Sequence, residues 1–349
     1  MDSRTALKKN ERLLFPGMEC VIDAPAGRGA NVLAYIGHYK DLQHKHLTHT
    51  VLIRELFPYD PMGRIFRGED GDLHVHPSAR EYFDWHRMTF LRGNEVHLRL
   101  SGQIPSKIDL NINTFSCRGT LYSLLGFTGG RSLEDEIGPE GLLNPAENTA
   151  NTGDPDGLLR IVRVMRGALE VLKAFHQEGY LHLDISPDNI LLIGEPDTER
   201  VTLIDYNSVH TVEEIQGRYE NDALYSSVNA PEEVPAGCRE HEFPLRRAAG
   251  CPEDRTILPP VDLSTKEGYT SPEVRLCRFE SIGPHSDLYS MAAVFWHCLS
   301  GQRLEGLSWV GAVLPDPGEL PRWKNLSGPV LSMLRQILRK GLVSSPRRR

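Results

Sequence analysis

The segment HLDISPDNILL (residues 182–192), followed by VTLIDYN (residues 201–207), decides the fold and chemistry predicted for this chain of 349 residues. Apolar runs flank a polar turn, which predicts two short buried strands with their polar groups at one end. Asp184 could accept a proton from an incoming hydroxyl group, whereas Asn189 and Asp205 offer the oxygen ligands that suit Mg²⁺. An isolated Asp and Asn near a turn are usually only turn formers. All three at this spacing favour a phosphoryl-transfer site instead.

The composition is that of an ordinary globular protein and argues against several functions. Hydrophobic residues make up 40% of the chain and charged residues 25%, which fits one large two-lobed domain or two domains. With a formal net charge of −8, no basic surface for nucleic acid is expected. No apolar stretch reaches the roughly 18 residues that a membrane helix needs. The six cysteines are widely spaced without a C-x-x-C pair, which is typical of reduced thiols in the cytoplasm.

The first half of the chain predicts a β-rich region with one long helix. MECVID and VLAYIGHYK are predicted strands, and the turn between them carries Gly27 and Gly29, which let backbone amides approach a phosphate. The run HTVLIRELFPYD predicts a third strand that includes Arg54. Residues 79–100 predict a helix whose apolar face comprises Phe83, Met88, Leu91 and Leu98.

The middle of the chain predicts two more strands, a hinge and a second long helix. The strands are expected near residues 107–115 and 120–125, and the glycine-rich FTGGRSL after them is interpreted as a hinge. Residues 138–157 are rich in Gly, Pro, Asn and Asp and are predicted to be a loop. The next helix leads to His182 and has the clearest three- and four-residue period, formed by Leu158, Ile161, Met165, Leu169, Leu172 and Phe175.

With these motifs, the sequence resembles the eukaryotic-like Ser/Thr protein kinases of bacteria over essentially its whole length. GYTSPEV (residues 268–274) resembles the G-Y-x-A-P-E end of an activation segment. GPHSDLYSMAAVFWHCLSGQRL (residues 283–304) resembles the helix that supports the catalytic loop, with Asp287 as its buried anchor. A second A-P-E at residues 230–232 lies too far before Asp287. Glu273 is therefore assigned as the glutamate that closes the activation segment.

The resemblance implies an α+β fold with two lobes. A small β-rich N-lobe with one long helix is expected at residues 19–127, after an N-terminal extension at residues 1–18. A larger, mainly helical C-lobe is expected at residues 128–349, with a long insertion in the activation segment at about 208–265. In the last helix, Arg349 is expected to pair with the activation-segment glutamate. Because the printed chain ends there, further C-terminal sequence is expected.

The resemblance also implies the ligands, ATP and Mg²⁺, and a role for each site residue. Asp184 would be the catalytic base, and Asn189 and Asp205 would bind Mg²⁺. Arg54 would contact the α- and β-phosphates of ATP.

Two further expectations concern the nucleotide. Glu95 on the long helix would orient Arg54, although Glu81 is an alternative. Gly126 and Thr128 in the hinge would meet the edge of the adenine ring with their backbone groups.

Several residues depart from the family pattern. Arg54 replaces a lysine, which keeps the charge but exchanges a compact ammonium for a planar fork. Leu183 replaces the arginine of H-R-D, so no cation is expected there for an activation-loop phosphate. Tyr206 and Asn207 replace Phe-Gly after the metal-binding aspartate. Ser186 stands where Ser/Thr kinases place a lysine that neutralises the γ-phosphoryl group.

Lys266 is the candidate replacement for that missing lysine. Counted back from Glu273, it occupies the position of a threonine that in the family bonds both the base and the lysine. We hypothesise that the cation has moved to the facing segment, so that Lys266 reaches the γ-phosphate across Ser186. A gap of one residue would instead bring Thr265 to this position.

Three functions compete on this sequence. The first is an active protein kinase that transfers the γ-phosphate of ATP to Ser/Thr hydroxyl groups of a protein substrate. The second is a pseudokinase that keeps the fold, and with it nucleotide binding or a scaffolding role, with weak or no transfer. A small-molecule phosphotransferase ranks last, because such enzymes typically lack the G-Y-x-x-P-E segment and the supporting Asp287.

Overall fold

The structure is a computed structural model. It describes residues 2–41, 43–44, 46–142, 155–196, 198–217, 263, 265–304 and 316–349. The centre of the insertion predicted at about 208–265, with the alternative A-P-E at residues 230–232, lies outside the described residues. The described residues form a β-rich N-lobe and a mainly helical C-lobe, which confirms the predicted α+β class.

A six-stranded antiparallel sheet forms the N-lobe, in the order β1-β2-β3-β4-β8-β7. Buried and partly exposed residues alternate along β3, so one face of the sheet packs on the N-lobe core. In β3, Leu33 and Tyr35 are buried in the core, whereas Ala34 between them faces the opposite side and pairs with Arg54 on β4. The sheet strands are β1 (Arg12–Phe15), β2 (Met18–Arg28), β3 (Val32–Lys40), β4 (Thr48–Leu56), β7 (Asn111–Cys117) and β8 (Thr120–Gly126), while β5 (Ile65–Arg67) and β6 (Leu73–Val75) form a separate hairpin.

The boundary predicted at residue 19 does not separate an extension from the N-lobe. The strand β1 pairs with β2 in the six-stranded sheet. Leu7, Leu13 and Phe15 are buried in the N-lobe core. Residues 2–18 therefore belong to the lobe, because their buried apolar side chains are part of its core.

The long helix of the N-lobe, α1 (Arg80–Gln103), has the predicted extent, but its buried face was wrongly predicted. Phe83 is buried as expected, whereas Met88, Leu91 and Leu98 are exposed. The buried face includes polar and small residues, which an apolar count misses: Phe83, His86, Phe90, Gly93, Asn94, Val96, His97, Leu100 and Ser101. A side chain at Gly93 would lie 2.7 Å from the side-chain oxygen of Asn207, so close approach at this glycine sets the rotation of the helix.

Three long helices carry the C-lobe core. Residues of α3 face inward as predicted, except Leu169, which is exposed next to the fully buried Ala168. The central helix, α5, is buried on nearly every side. The long helices are α3 (Pro155–Gln177), α5 (Pro284–Ser300) and α6 (Gly328–Gly341), and the short ones are α2 (Leu133–Glu136) and α4 (Pro272–Arg275). No described helix combines the length and the apolar character needed to span a bilayer.

Short paired strands hold together the loops of the C-lobe between residues 131 and 211. The strand β13 pairs with both β14 and β9, and β12 pairs with β15. These strands are β9 (Arg131–Ser132), β10 (Ile137–Gly138), β11 (Gly141–Leu142), β12 (Tyr180–Leu181), β13 (Ile190–Ile193), β14 (Arg200–Leu203) and β15 (His210–Thr211).

Candidate active site

The two buried strands predicted within residues 182–207 are present, and they bring the polar residues of this segment together. The strands β13 and β14 pair antiparallel, with Ile190 opposite Leu203. Beyond this pair, the Ile204 N–H donates a 3.0 Å hydrogen bond to the Asn189 carbonyl. Asp205 therefore follows β14 at the end of the hairpin where Asn189 precedes β13.

Asp287 anchors the loop that carries His182 to Asp184. Its carboxylate is fully buried and accepts hydrogen bonds from the backbone N–H groups of His182 at 2.9 Å and Leu183 at 2.8 Å. It also bonds the ring of His176 at 2.9 Å. Leu183 has a φ of +59°, a left-handed conformation that costs a branched residue about 1 kcal/mol or more. Hydrogen bonds to a charged acceptor are each worth about 1.5–3 kcal/mol, so Asp287 outweighs this strain.

Asp184 and Asn189 form a buried pair with defined orientations. The Asn189 side-chain amide donates to the backbone carbonyl of Asp184 at 2.8 Å and to its carboxylate at 3.0 Å. With its amide nitrogen so engaged, Asn189 directs its amide oxygen elsewhere. Burial, assisted by the carboxylates of Asp205 and Asp188, raises the pKa of Asp184 to about 7, although Lys266 acts in the opposite direction. Asp184 therefore titrates in the range that suits a general base.

Lys266 reaches the catalytic loop from the facing segment. Its ammonium donates to the Ser186 hydroxyl at 2.9 Å and to the Asp188 carboxylate at 2.7 Å. The same nitrogen lies 3.6 Å from a carboxylate oxygen of Asp184. Burial alone would raise the pKa of Asp188, but hydrogen bonds from Lys266 and Ser186 hold that pKa below its usual value. A cation thus lies beside Ser186, and its part in catalysis stays a prediction.

Arg54 lies in the cleft, but its predicted partner is wrong. An Arg54 guanidinium nitrogen lies 3.5 Å from a carboxylate oxygen of Asp205, and the guanidinium carbon lies 5.9 Å from the centre of the Phe90 ring. Glu95 is 72% exposed and pairs with Arg99 on its own helix instead. The alternative, Glu81, is also exposed. The rotation of α1 that buries Phe90 and Gly93 turns both glutamates away from the cleft.

Gly27 and Gly29 were predicted to offer backbone amides to a phosphate, but both take part in the structure of the β2–β3 hairpin. Gly27 pairs with Ala34 in the ladder between β2 and β3, and the Gly29 N–H donates to the Val32 carbonyl at 2.9 Å. The Gly29 amide is therefore already engaged inside the turn. A side chain would meet nothing within 4 Å at Gly27 and only the Val32 carbonyl, at 3.7 Å, at Gly29.

The predicted hinge residues lie where β8 ends. The Gly126 N–H donates to the Leu110 carbonyl at 2.8 Å, so this residue has only its carbonyl to offer a ligand. Thr128 is exposed, and its hydroxyl lies 3.2 Å from the carboxylate of Asp109.

Contacts between α1 and the residues after Asp205 were not found from the sequence. The buried ring of Tyr206 stacks on His97, with ring centres 4.3 Å apart, and on Phe175 at 5.6 Å. Arg92 of α1 donates to the Val209 carbonyl and forms a 2.5 Å ion pair with Glu214. An aromatic residue next to Asp205 was the only signal in the sequence for this packing.

The ion pair between the activation-segment glutamate and the last helix region is present. Arg349 lies 2.5 Å from Glu273, and both side chains are almost fully buried. The Glu273 carboxylate also accepts from the Ser286 hydroxyl at 2.8 Å. Across the described ranges, no three His, Cys, Asp or Glu residues cluster as a metal site. Asn189 and Asp205 stay the candidate pair of metal ligands.

Comparison with known proteins identifies the fold. No model of a known protein family matches the chain. Among the curated proteins, no sequence matches either. Solved structures do match: the apo form of PpkA-294 is 20% identical with a TM-score of 0.63, over 99% of this chain and 95% of that chain.

Two kinase domains are among the solved structures that match. The Mycobacterium tuberculosis PknI kinase domain is 16% identical with a TM-score of 0.51, over 99% of this chain and 94% of that chain. The BubR1 kinase domain is 16% identical with a TM-score of 0.54, over 98% and 79% of the two chains. This chain therefore has the two-lobed fold of a protein-kinase-like domain.

Proposed function

We propose that this chain is a protein kinase that transfers the γ-phosphate of ATP to Ser/Thr hydroxyl groups of a protein substrate in the cytoplasm. Asp184 is the base that accepts the hydroxyl proton, and Lys266 contacts the γ-phosphate across Ser186. One observation carries the proposal: the Lys266 ammonium lies 2.9 Å from Ser186 and 3.6 Å from Asp184. A positive charge is thus present beside the base even though the family's lysine is replaced.

The side chains at the mouth of the hairpin fit Mg²⁺. Mg²⁺ is usually held by one or two carboxylates together with substrate phosphates and water. Asp205 supplies a partly exposed carboxylate, and Asn189 has an amide oxygen that its own hydrogen bonds to Asp184 do not use. When bound, the ion would neutralise negative charge on the phosphates.

The protein's own groups account for orientation and proton transfer. Asn189 holds the Asp184 carboxylate through a 3.0 Å hydrogen bond, so the base is fixed before a substrate arrives. With a pKa raised to about 7, mainly by burial, Asp184 can accept a proton at neutral pH and release it afterwards. Arg54, on β4 opposite Ala34 of β3, would bind the α- and β-phosphates.

One observation favours the second candidate, a nucleotide-binding or scaffolding pseudokinase. The Arg54 guanidinium lies 3.5 Å from Asp205, the proposed metal ligand, and neither predicted helix carboxylate approaches it. Binding of Mg-ATP would then have to replace this ion pair. A site that binds nucleotide slowly or weakly, with little transfer, would follow.

A transfer assay with γ-labelled ATP and a generic Ser/Thr substrate separates the candidates. Wild type is compared with Asp184→Asn, and with Asp84→Asn as a control, because Asp84 is exposed on α1. We expect label transfer by wild type, a loss of about 100-fold or more in Asp184→Asn, and no change in the control. Thermal stabilisation by Mg-ATP without transfer would select the pseudokinase. If Mg-ATP neither stabilises the protein nor is used for transfer, the kinase and the nucleotide-binding pseudokinase are both refuted, and only the scaffolding role is left.

A further inference from the structure

Arg4, near the start of the chain, lies against the turn between β2 and β3. Arg4 is 7% exposed, and each of its five N–H donors has an acceptor. Two guanidinium nitrogens bond the carbonyls of Gly29 at 2.7 Å, Ala30 at 3.2 Å and Phe57 at 2.5 Å. The remaining donors bond the Asp2 carboxylate at 2.6 and 3.0 Å. One buried side chain thus connects the turn between β2 and β3 with the residues that follow β4.

The turn has no buried side chain of its own. Residues 25–30 are all exposed. Two backbone hydrogen bonds attach it to the chain after β4, from Phe57 N–H to the Asn31 carbonyl and from Tyr59 N–H to the Ala30 carbonyl, both at 2.9 Å. Without packing of its own, the turn depends on these bonds and on Arg4 for its position.

Arg4, together with the Tyr59 N–H at the Ala30 carbonyl, fixes which way two backbone amides point. The described chain has no cis peptide bond, and in a trans peptide the C=O and the following N–H point in opposite directions. Because Arg4 holds the Gly29 and Ala30 carbonyls on one side, the N–H groups of Ala30 and Asn31 point to the other. Neither N–H donates to a protein acceptor within the described part of the chain. Successive free N–H groups of this kind form an anion-binding concavity.

The segment that carries Arg4 is itself fixed to the sheet. The Leu7 N–H donates to the Tyr35 hydroxyl at 3.1 Å, and that hydroxyl donates to the fully buried Glu55 at 2.7 Å. Arg67 bridges the same carboxylate at 2.7 Å and the Thr5 carbonyl at 3.1 Å. Glu55 directly follows Arg54, so the segment is attached to the strand that carries the phosphate-binding cation.

We infer that Arg4 is a positioning residue for the nucleotide site: its guanidinium holds the turn so that the Ala30 and Asn31 amides are presented to the phosphates of ATP. These two amides replace the Gly27 and Gly29 amides as the turn's phosphate donors. The phosphate assignment rests on the proposed function, whereas the clamp on the turn can be measured without nucleotide. The segment at residues 2–7 is then part of the site rather than an appendage to it.

Hydrogen exchange of the full chain without nucleotide tests the clamp. Three amides report on the turn. Those of Phe57 and Tyr59 donate to its carbonyls, and that of Gly29 closes it by donating to the Val32 carbonyl of β3. Arg4→Met keeps the apolar stem and removes the donors, and we expect exchange at these amides to accelerate by on the order of tenfold. Arg12→Met is the matched control, since Arg12 is 69% exposed in a pair with Glu19 at the sheet edge. Equal exchange in wild type and Arg4→Met would overturn the clamp.

Nucleotide affinity tests the positioning. In Arg4→Met we expect the KM and Kd for Mg-ATP to rise about tenfold, with kcat changed much less. Arg12→Met should match wild type. Faster exchange with unchanged Kd would overturn the positioning role. If wild type binds no Mg-ATP, the proposed function fails, and the exchange result still decides the clamp.

A second variant separates charge from geometry and serves if Arg4→Met does not fold. Arg4→Lys keeps the charge and the apolar stem. A single ammonium, however, cannot bond all three carbonyls and the Asp2 carboxylate as the planar guanidinium does. We expect exchange and Kd between those of wild type and Arg4→Met. Values equal to wild type would overturn the assignment to the guanidinium fork.

Discussion

The proposed relocation of the catalytic cation to Lys266 predicts strong coupling between two positions far apart in the sequence. Lys266→Thr removes the ammonium that bonds Ser186 at 2.9 Å and approaches Asp184 at 3.6 Å. Ser186→Lys installs an ammonium where the family has one, but beside the existing cation. The double variant has one cation again, on the catalytic loop. Each single substitution should therefore lower the rate of phosphate transfer, and the double substitution should restore most of it.

The distances give the size of the effect. At 3.6 Å, two unit charges interact by about 4–5 kcal/mol for an effective dielectric constant of about 20. Desolvation reduces this, and so does solvent, because the Lys266 side chain is 29% exposed. Loss of a comparable charge-stabilising group lowers kcat by about 10²–10³, which we expect for Lys266→Thr. Ser186→Lys should lose about tenfold, and the double variant should lie within about tenfold of wild type.

The assay is steady-state transfer of label from ATP to a generic Ser/Thr substrate, with folding checked by circular dichroism and thermal unfolding. Lys107→Thr is the matched control, because Lys107 forms a partly exposed ion pair with Glu170 and contacts none of the site residues in the described part of the chain. Losses that multiply, so that the double variant is about 10³ or more below wild type, would show no coupling and refute the relocation. An unaffected Lys266→Thr protein would refute any catalytic role for this lysine.

Three further predictions concern stability and the nucleotide site. Arg349→Met leaves a buried carboxylate unpaired and should lower the free energy of unfolding by about 3–5 kcal/mol, against about 0.5 kcal/mol for the exposed neighbour Arg348→Met; equal urea midpoints would contradict this. Glu95→Gln should leave the KM for ATP within about twofold, whereas Arg54→Met should raise it about tenfold or more; a loss in Glu95→Gln would restore the discarded pairing. Burial lowers the pKa of His86 to about 4. Between about pH 6.5 and pH 4, His86 is protonated in the unfolded chain but not in the folded protein, so the free energy of unfolding should fall by about 1.4 kcal/mol for each unit by which the pH is lowered. In urea titrations, His86→Phe should remove this part of the pH slope, and an unchanged slope would count against it.

The parts of the site carried by local sequence were predictable. The catalytic-loop hairpin, the buried Asp287 and the pair of Glu273 with Arg349 all occur as expected. The hairpin follows from apolar runs on both sides of a short polar turn. Asp287 and the Glu273–Arg349 pair join residues 105 and 76 positions apart, and they were expected from the resemblance to protein kinases. Lys266 was found by counting along the chain, and its ammonium lies beside Ser186.

The predictions that were wrong concern features that depend on how helices and strands rotate and pack against one another. The buried face of α1 was read from apolar residues, but Gly93 permits the close approach that sets its rotation and turns Glu95 to solvent. Gly29 was taken as a phosphate donor, yet its N–H closes the turn instead. Residues 1–18 were set apart as an extension, although β1 completes the sheet edge.

The sequence by itself determined the carboxylates of the site, because motif spacing is a local property of the chain, and its resemblance to Ser/Thr protein kinases implied the two-lobed α+β fold. The position of Lys266 beside Ser186 was expected from counting along the chain. Only the tertiary structure decided that Arg54 faces Asp205 and that Arg4 reaches the turn between β2 and β3. Such contacts depend on the relative rotation of packed elements, which no short stretch of sequence specifies.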